Sequence, residues 1–139
     1  MSQRFSVAGK RILITGASSG FGAHFAMALA EEGADLVLAA RRVEKLEDTA
    51  RAVRDLGRDA TVVPMDVSDH ASVEAAFADM PALDVVVNNA GVSHEGPTEN
   101  IAEDEWDRVV DTNLKGVWAV SKFAIQQWKR DERPGDPLN

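Results

Sequence analysis

Four short apolar runs without polar alternation are separated by longer stretches whose apolar residues recur every three or four positions. The runs are Ile12-Leu13-Ile14 and residues 36–40, 60–65 and 83–87. Each reads as a strand covered on both faces, because a half-exposed strand would alternate. Between them, Phe21, Phe25, Ala28 and Leu29 predict a first helix that stops at Gly33. Val43, Leu46, Ala50, Val53 and Leu56 predict a second helix, ended by Gly57. Val73, Ala76, Phe77 and Met80 predict a third, capped by Ser68 or Asp69, with Pro81 beyond its end. A long helix follows over residues 102–129, after a Gly-, Pro-, Ser- and Asn-rich loop at 92–100. Its first turn holds Glu103, Asp104 and Glu105 and its end holds Lys129 and Arg130, each matching the helix dipole. One stripe of this helix carries Trp106, Val110, Asn113, Val117, Val120 or Ser121, Ala124 and Trp128. A second stripe, Leu114, Trp118 and Ile125, exceeds what contact with one sheet requires and points to a partner helix. Residues 130–139 read as a charged loop.

Strands alternating with helices imply βαβ units and a parallel sheet. The expected architecture is an α/β fold with a doubly wound, Rossmann-like parallel sheet of order 3-2-1-4. Pro64 agrees with that order, since strand three then lies on an edge, where a missing N–H costs little. No internal repeat or low-complexity segment interrupts the pattern.

Composition narrows the classes. A chain of 139 residues suits one domain over 1–139. A mean hydropathy of −0.20 is ordinary for a globular protein, and the apolar runs are too short to span a membrane. The opening Met1-Ser2-Gln3-Arg4 is polar and leaves no room for a signal peptide. The absence of cysteine excludes disulfides and thiolate metal sites and fits a cytoplasmic protein. A net charge of −8 argues against nucleic acid or an anionic membrane as partner.

The chemistry centres on Thr15-Gly16-Ala17-Ser18-Ser19-Gly20-Phe21-Gly22, a strand-to-helix turn. Missing Cβ atoms let a ligand approach the backbone, and unpaired N–H groups at the helix start attract an anion. A phosphate-bearing cofactor suits such a turn. No Gly-Lys-Ser/Thr follows, which excludes a P-loop, while a methyl-donor fold stays open on the loop alone. Arg41 and Arg42 follow strand two, where NAD-binding folds present a carboxylate; here that position is Ala40. Arginine there accommodates the 2′-phosphate of NADP, and a methyl-donor fold would also want an acid. Ser18 or Ser19 can add a phosphate contact. Asp66 lies at the C-terminal rim of strand three, Asn113 on the apolar stripe of the long helix. A buried amide there must find partners or cost about 1–3 kcal/mol. His24 and His70 read as helix surface, and His94 as a loop residue near the cofactor turn with no evident base partner.

Thr15-Gly16-x3-Gly20-x-Gly22, then Asp66-Val67, then Asn88-Asn89-Ala90-Gly91, then Asn113 within Asp111-Thr112-Asn113-Leu114-Lys115-Gly116, resemble the short-chain dehydrogenase/reductase family in order and spacing. The resemblance runs from about Lys10 to about Trp128. It implies that Gly16, Ser18, Ser19, Gly20, Phe21, Gly22, Arg41 and Arg42 bind a nicotinamide dinucleotide, NADP(H) in preference to NAD(H). It further implies that Asp66 takes the adenine amino group beside the Val67 backbone. Asn88, Asn89, Ala90 and Gly91 would carry the cofactor along strand four. Asn113 would be the catalytic accessory that holds a water for a Ser–Tyr–Lys–Asn set. The implied substrate is a small carbonyl or alcohol, and the implied assembly a homo-oligomer through the long helix. The family's Tyr-x-x-x-Lys pair has no counterpart, because the chain contains no tyrosine. The expectation is therefore the cofactor-binding portion of an oxidoreductase, truncated before the catalytic segment and inactive alone. A naturally short, non-catalytic binding or dimerising module is the alternative.

Overall fold

The structure, a computed structural model, describes residues 5–131. Four parallel strands form one sheet in the order β3-β2-β1-β4. They are β1 (Arg11–Thr15), β2 (Asp35–Ala40), β3 (Ala60–Pro64) and β4 (Val85–Val87). β1 pairs with β2 from Arg11 opposite Asp35 to Thr15 opposite Ala39, and with β4 from Ile12 opposite Val85 to Ile14 opposite Val87. β3 pairs only with β2, so Pro64 does lie on an edge strand.

The apolar runs are apolar because both faces are covered. Ile12, Ile14, Leu36 and Leu38 pack with α1 (Gly20–Glu31) and α2 (Val43–Asp55). Leu13, Val37 and Ala39 point the other way, onto α3 (His70–Ala78) and α5 (Gly116–Arg130). Asp69 caps α3, its carboxylate accepting the Ala71 N–H at 3.0 Å. The alternative cap, Ser68, instead donates to Asp66.

Four expectations are corrected. α1 buries its small residues, Gly22, Ala26 and Ala30, and leaves Phe21 77% exposed, stacked on Phe25. The fourth strand is shorter than 83–87: Leu83 is buried in the approach to β4, its N–H taken by Gln127. The long helix is not uniform. A π-helical turn over Asp111–Lys115 separates α4 (Glu103–Val110) from α5. The extra residue in that turn rotates everything after it, so α5 buries Gly116, Ala119, Val120, Ala124 and Gln127. Trp106 and Val117 stand exposed, and so does Asn113. His70 is not simply surface: its ring stacks on Trp118 and meets Phe123 at a tilt, 3.2 Å from the Lys122 ammonium. The charged loop expected at 130–139 lies, from 132 on, outside the described residues, as does the opening tetrapeptide.

Candidate active site: a cleft at the carboxyl ends of the strands

The turns after β1, β2, β3 and β4 converge on one cleft of about 300 Å³. Open parallel sheets bind ligands at this rim, where strand order reverses. Of the residues singled out by sequence, Gly16, Ser18, Ser19, Phe21, Arg41, Arg42, Asp66, Val67, Asn89, Ala90 and Gly91 line it. Gly20, Gly22, Asn88 and Asn113 do not.

The glycine turn is shaped by close approach. Gly16 has φ of 66°, and a Cβ there would come 2.8 Å from the Ala90 Cα. Gly22 has ordinary helical backbone, yet a Cβ on it would collide with the Gly16 carbonyl and lie 2.6 Å from the Asn89 amide nitrogen. The turn and the helix therefore touch through backbone alone. Asn89 locks this contact, its Nδ2 donating to the carbonyls of Thr15 at 3.0 Å and Gly16 at 3.2 Å. The buried Thr15 hydroxyl in turn accepts from the N–H groups of Asn89 and Ala90 at 3.1 and 3.0 Å. Thr49 of α2 completes the frame by donating to the Ala17 carbonyl at 3.3 Å. α1 starts with no side-chain cap and no acid in its first turn, which leaves the positive end of its dipole facing the cleft.

Charge around the cleft is divided. Arg41 and Arg42 are exposed at the start of α2, and their guanidinium groups make no ion pair or hydrogen bond among the described residues. Two unpartnered cations at a helix start work against its dipole, so their placement brings no local gain. Asp66 holds the loop after β3, its Oδ1 accepting from the Ser68 N–H at 3.0 Å and hydroxyl at 2.6 Å. Asn88 turns toward α5 and donates to the Ser121 hydroxyl at 3.2 Å. Among the described residues no group of three or more His, Asp or Glu is placed to hold a metal ion, and no helix is long and apolar enough to cross a membrane.

Asn113 does not line the cleft but fixes a residue that does. Its Oδ1 accepts the Val92 N–H at 2.8 Å and its Nδ2 donates to the Val92 carbonyl at 2.7 Å, as a strand neighbour would. The amide is satisfied as polarity demands, at the surface rather than in the core. His94, expected to lack a partner, has one: its Nδ1 lies 3.3 Å from a Glu105 carboxylate oxygen. Four cleft residues were not assigned a role from sequence: Ala40, Met65, Val92 and Thr112. Thr112 lies in the π turn, a feature with no sequence signal beyond the neighbouring Asn113.

Comparison with known proteins agrees with this geometry. Residues 10–136 match the family model described as short chain dehydrogenase. An uncharacterised oxidoreductase of Listeria monocytogenes is 41% identical over 116 residues, which cover 81% of this chain and 47% of the relative. A crystal structure of a gluconate 5-dehydrogenase from Burkholderia cenocepacia, in complex with NADP and tartrate, superposes with a TM-score of 0.84 at 37% identity, covering 92% of this chain and 52% of that one. A metagenomic short-chain oxidoreductase in complex with NADP gives 0.83 at 34% identity, covering 92% and 60%. The chain spans about half the length of the curated relatives it matches. With the sheet order, the glycine turn, the Asn89 lock and these matches together, the chain belongs to the short-chain dehydrogenase/reductase family.

Proposed function

We propose that the cleft binds the dinucleotide of a hydride-transfer oxidoreductase and takes NADP(H) in preference to NAD(H). One observation carries this reading: a glycine cradle closed to a side chain at Gly16 and Gly22 adjoins a cleft lined by two arginines that lack an acidic partner among the described residues. The cradle fits a pyrophosphate, which needs backbone approach and free N–H groups rather than side chains. Gly16, Ser18, Ser19, Gly20, Phe21 and Gly22 would hold it, Gly22 by keeping the helix close. Arg41 and Arg42 would take the 2′-phosphate, with Ala40 offering no carboxylate to repel it. Asp66 and the Val67 backbone would receive the adenine. Asn89, Ala90 and Gly91 would line the path along β4, with Asn88 bracing that turn against Ser121. When bound, the nicotinamide supplies or accepts a hydride at a small carbonyl or alcohol carbon. Both NADP-containing relatives support the choice of nucleotide.

With no tyrosine in the chain, these 139 residues lack the family's proton donor, and Asn113 cannot replace it. They should bind NADPH without oxidising it. Calorimetric titration tests the nucleotide preference. A charge-assisted phosphate contact contributes roughly 1.5–3 kcal/mol, so NADPH should bind about tenfold or more tightly than NADH. Equal affinities, or a preference unchanged in Arg41→Ala and in Arg42→Ala, would refute the assignment.

The same reading extends to assembly. Leu114, Trp118 and Ile125 are 70%, 52% and 46% exposed on one side of the long helix, more apolar surface than one small domain ordinarily leaves in water. A second copy docking there would cover it. Sedimentation at micromolar concentration should show self-association that Trp118→Glu abolishes; a monomer throughout would contradict it.

A further inference from the structure

Three consecutive residues of the loop after β4 are held by three side chains of the helix beside it. Asn113 pairs with both main-chain groups of Val92. Arg108 Nη2 donates to the Ser93 carbonyl at 3.0 Å. Glu105 Oε2 meets His94 Nδ1 at 3.3 Å. Glu105 and Arg108 are also joined to each other, Nε to Oε1 at 3.1 Å and Nη2 to Oε2 at 3.0 Å. Their separation of three residues puts them on one face of α4, so this two-pronged fork is built within the helix and does not depend on the loop.

The loop needs such a fastening. Residues 91–95 belong to no strand or helix, so no backbone ladder orders them. Asn113 secures only Val92, and one anchored residue leaves its successors free to pivot. Val92 forms part of the cleft wall, and Ser93 and His94 set the direction in which the chain leaves it. An exposed ion pair adds little to global stability, which fits a role in local order rather than in holding the fold.

We propose that Glu105 and Arg108 are positioning residues, which hold residues 92–94 in the conformation that completes the wall of the cleft. The consequence for ligand binding rests on the dinucleotide reading; the fastening itself does not. Amide hydrogen exchange and NADPH calorimetry on the wild type, Arg108→Ala, Arg108→Lys and Glu105→Gln separate the two. In Arg108→Ala the Val92 amide, the hydrogen-bonded N–H of residues 92–95, should exchange about fivefold or more faster as the loop beyond it pivots, with β1 and β2 amides unchanged. If the binding-competent loop population falls to about a tenth to a third, NADPH affinity falls by the same factor. Arg108→Lys keeps the charge without the fork and should remain impaired in both readouts, while Glu105→Gln, which keeps the shape, should recover part of each. Unchanged exchange at Val92 in Arg108→Ala overturns the proposal. Faster exchange with unchanged affinity also overturns it, leaving a purely structural contact. Full recovery by Arg108→Lys overturns the geometric explanation. A wild-type protein that binds no dinucleotide refutes the functional reading instead, and the exchange data then decide the fastening alone.

Discussion

Replacing Gly22 by alanine separates local propensity from tertiary contact. In an ordinary helix the change stabilises by about 0.8–1 kcal/mol, because glycine loses more backbone freedom on folding. Gly22 has normal helical backbone, so nothing in its own conformation opposes alanine. The added methyl, however, would overlap the Gly16 carbonyl and lie 2.6 Å from Asn89 Nδ2. Neither neighbour can yield cheaply: the first is backbone, and the second holds two carbonyls at 3.0 and 3.2 Å. Overpacking a tight site costs about 1–3 kcal/mol, and losing the two Asn89 bonds adds about 1 kcal/mol each. After the propensity gain is subtracted, a net loss of about 2–4 kcal/mol remains. At about 3–5 °C per kcal/mol for a domain of this size, Tm should fall by about 6–20 °C. Gly20→Ala is the control. Gly20 has φ of 56° but open space around its missing Cβ, so only left-handed strain of about 1–2 kcal/mol applies. Differential scanning calorimetry of both variants is the assay. A Gly22→Ala protein that melts at or above the wild-type temperature would refute the backbone-contact account of the turn.

Other expectations follow from single side chains. Gln127 is 3% exposed and serves Leu83 N–H, Met80 C=O and Pro81 C=O, so Gln127→Leu strands buried backbone groups and should cost about 2–4 kcal/mol by chemical denaturation. Asn113→Asp replaces the donor to the Val92 carbonyl with a carboxylate oxygen, and calorimetry should show NADPH affinity lowered by about tenfold. The hydrogen bonds from Arg108 and then His94 hold the Glu105 carboxyl below its ordinary value of 4.5. A depressed folded-state pKa stabilises above the unfolded value and is lost as pH falls through the folded one. Protection of the Val92 amide should therefore persist at pH 5 and decline below about 4.5, and a decline already complete at pH 5 would contradict this.

Much of the architecture was legible because a sheet covered on both faces leaves an unmistakable mark. Leu13 and Ile14 face opposite layers, so neither position tolerates polarity, and the strand reads as an unbroken apolar run. Pro64 announced the edge because its missing N–H is harmless only there. The cleft was legible where a glycine or an arginine is itself the signal. It was not legible where the contact is made by partners distant in sequence. Thr49, thirty-two residues from Ala17, and Gln127, forty-four from Leu83, look like an average helix residue each. The π turn escaped for a different reason. Periodicity assumes one rotation per residue along the whole helix, and one extra residue at Asp111–Lys115 moved Val117 off the buried face assigned to it, while α4, before the turn, buries no residue and leaves Trp106 exposed. Glu105 satisfied the helix dipole so well that its second task, gripping His94, left no trace in the pattern.

The most direct test of the central claim is a comparison of backbone amide shifts in the protein titrated with NADPH and with NADH. The account predicts saturable perturbation by both at Gly16 and residues 18–22, 66–67 and 89–92. The difference between the two nucleotides should be concentrated at Ser18, Arg41 and Arg42. Perturbations that lie away from the cleft at saturation, or identical maps for the two nucleotides, would contradict it.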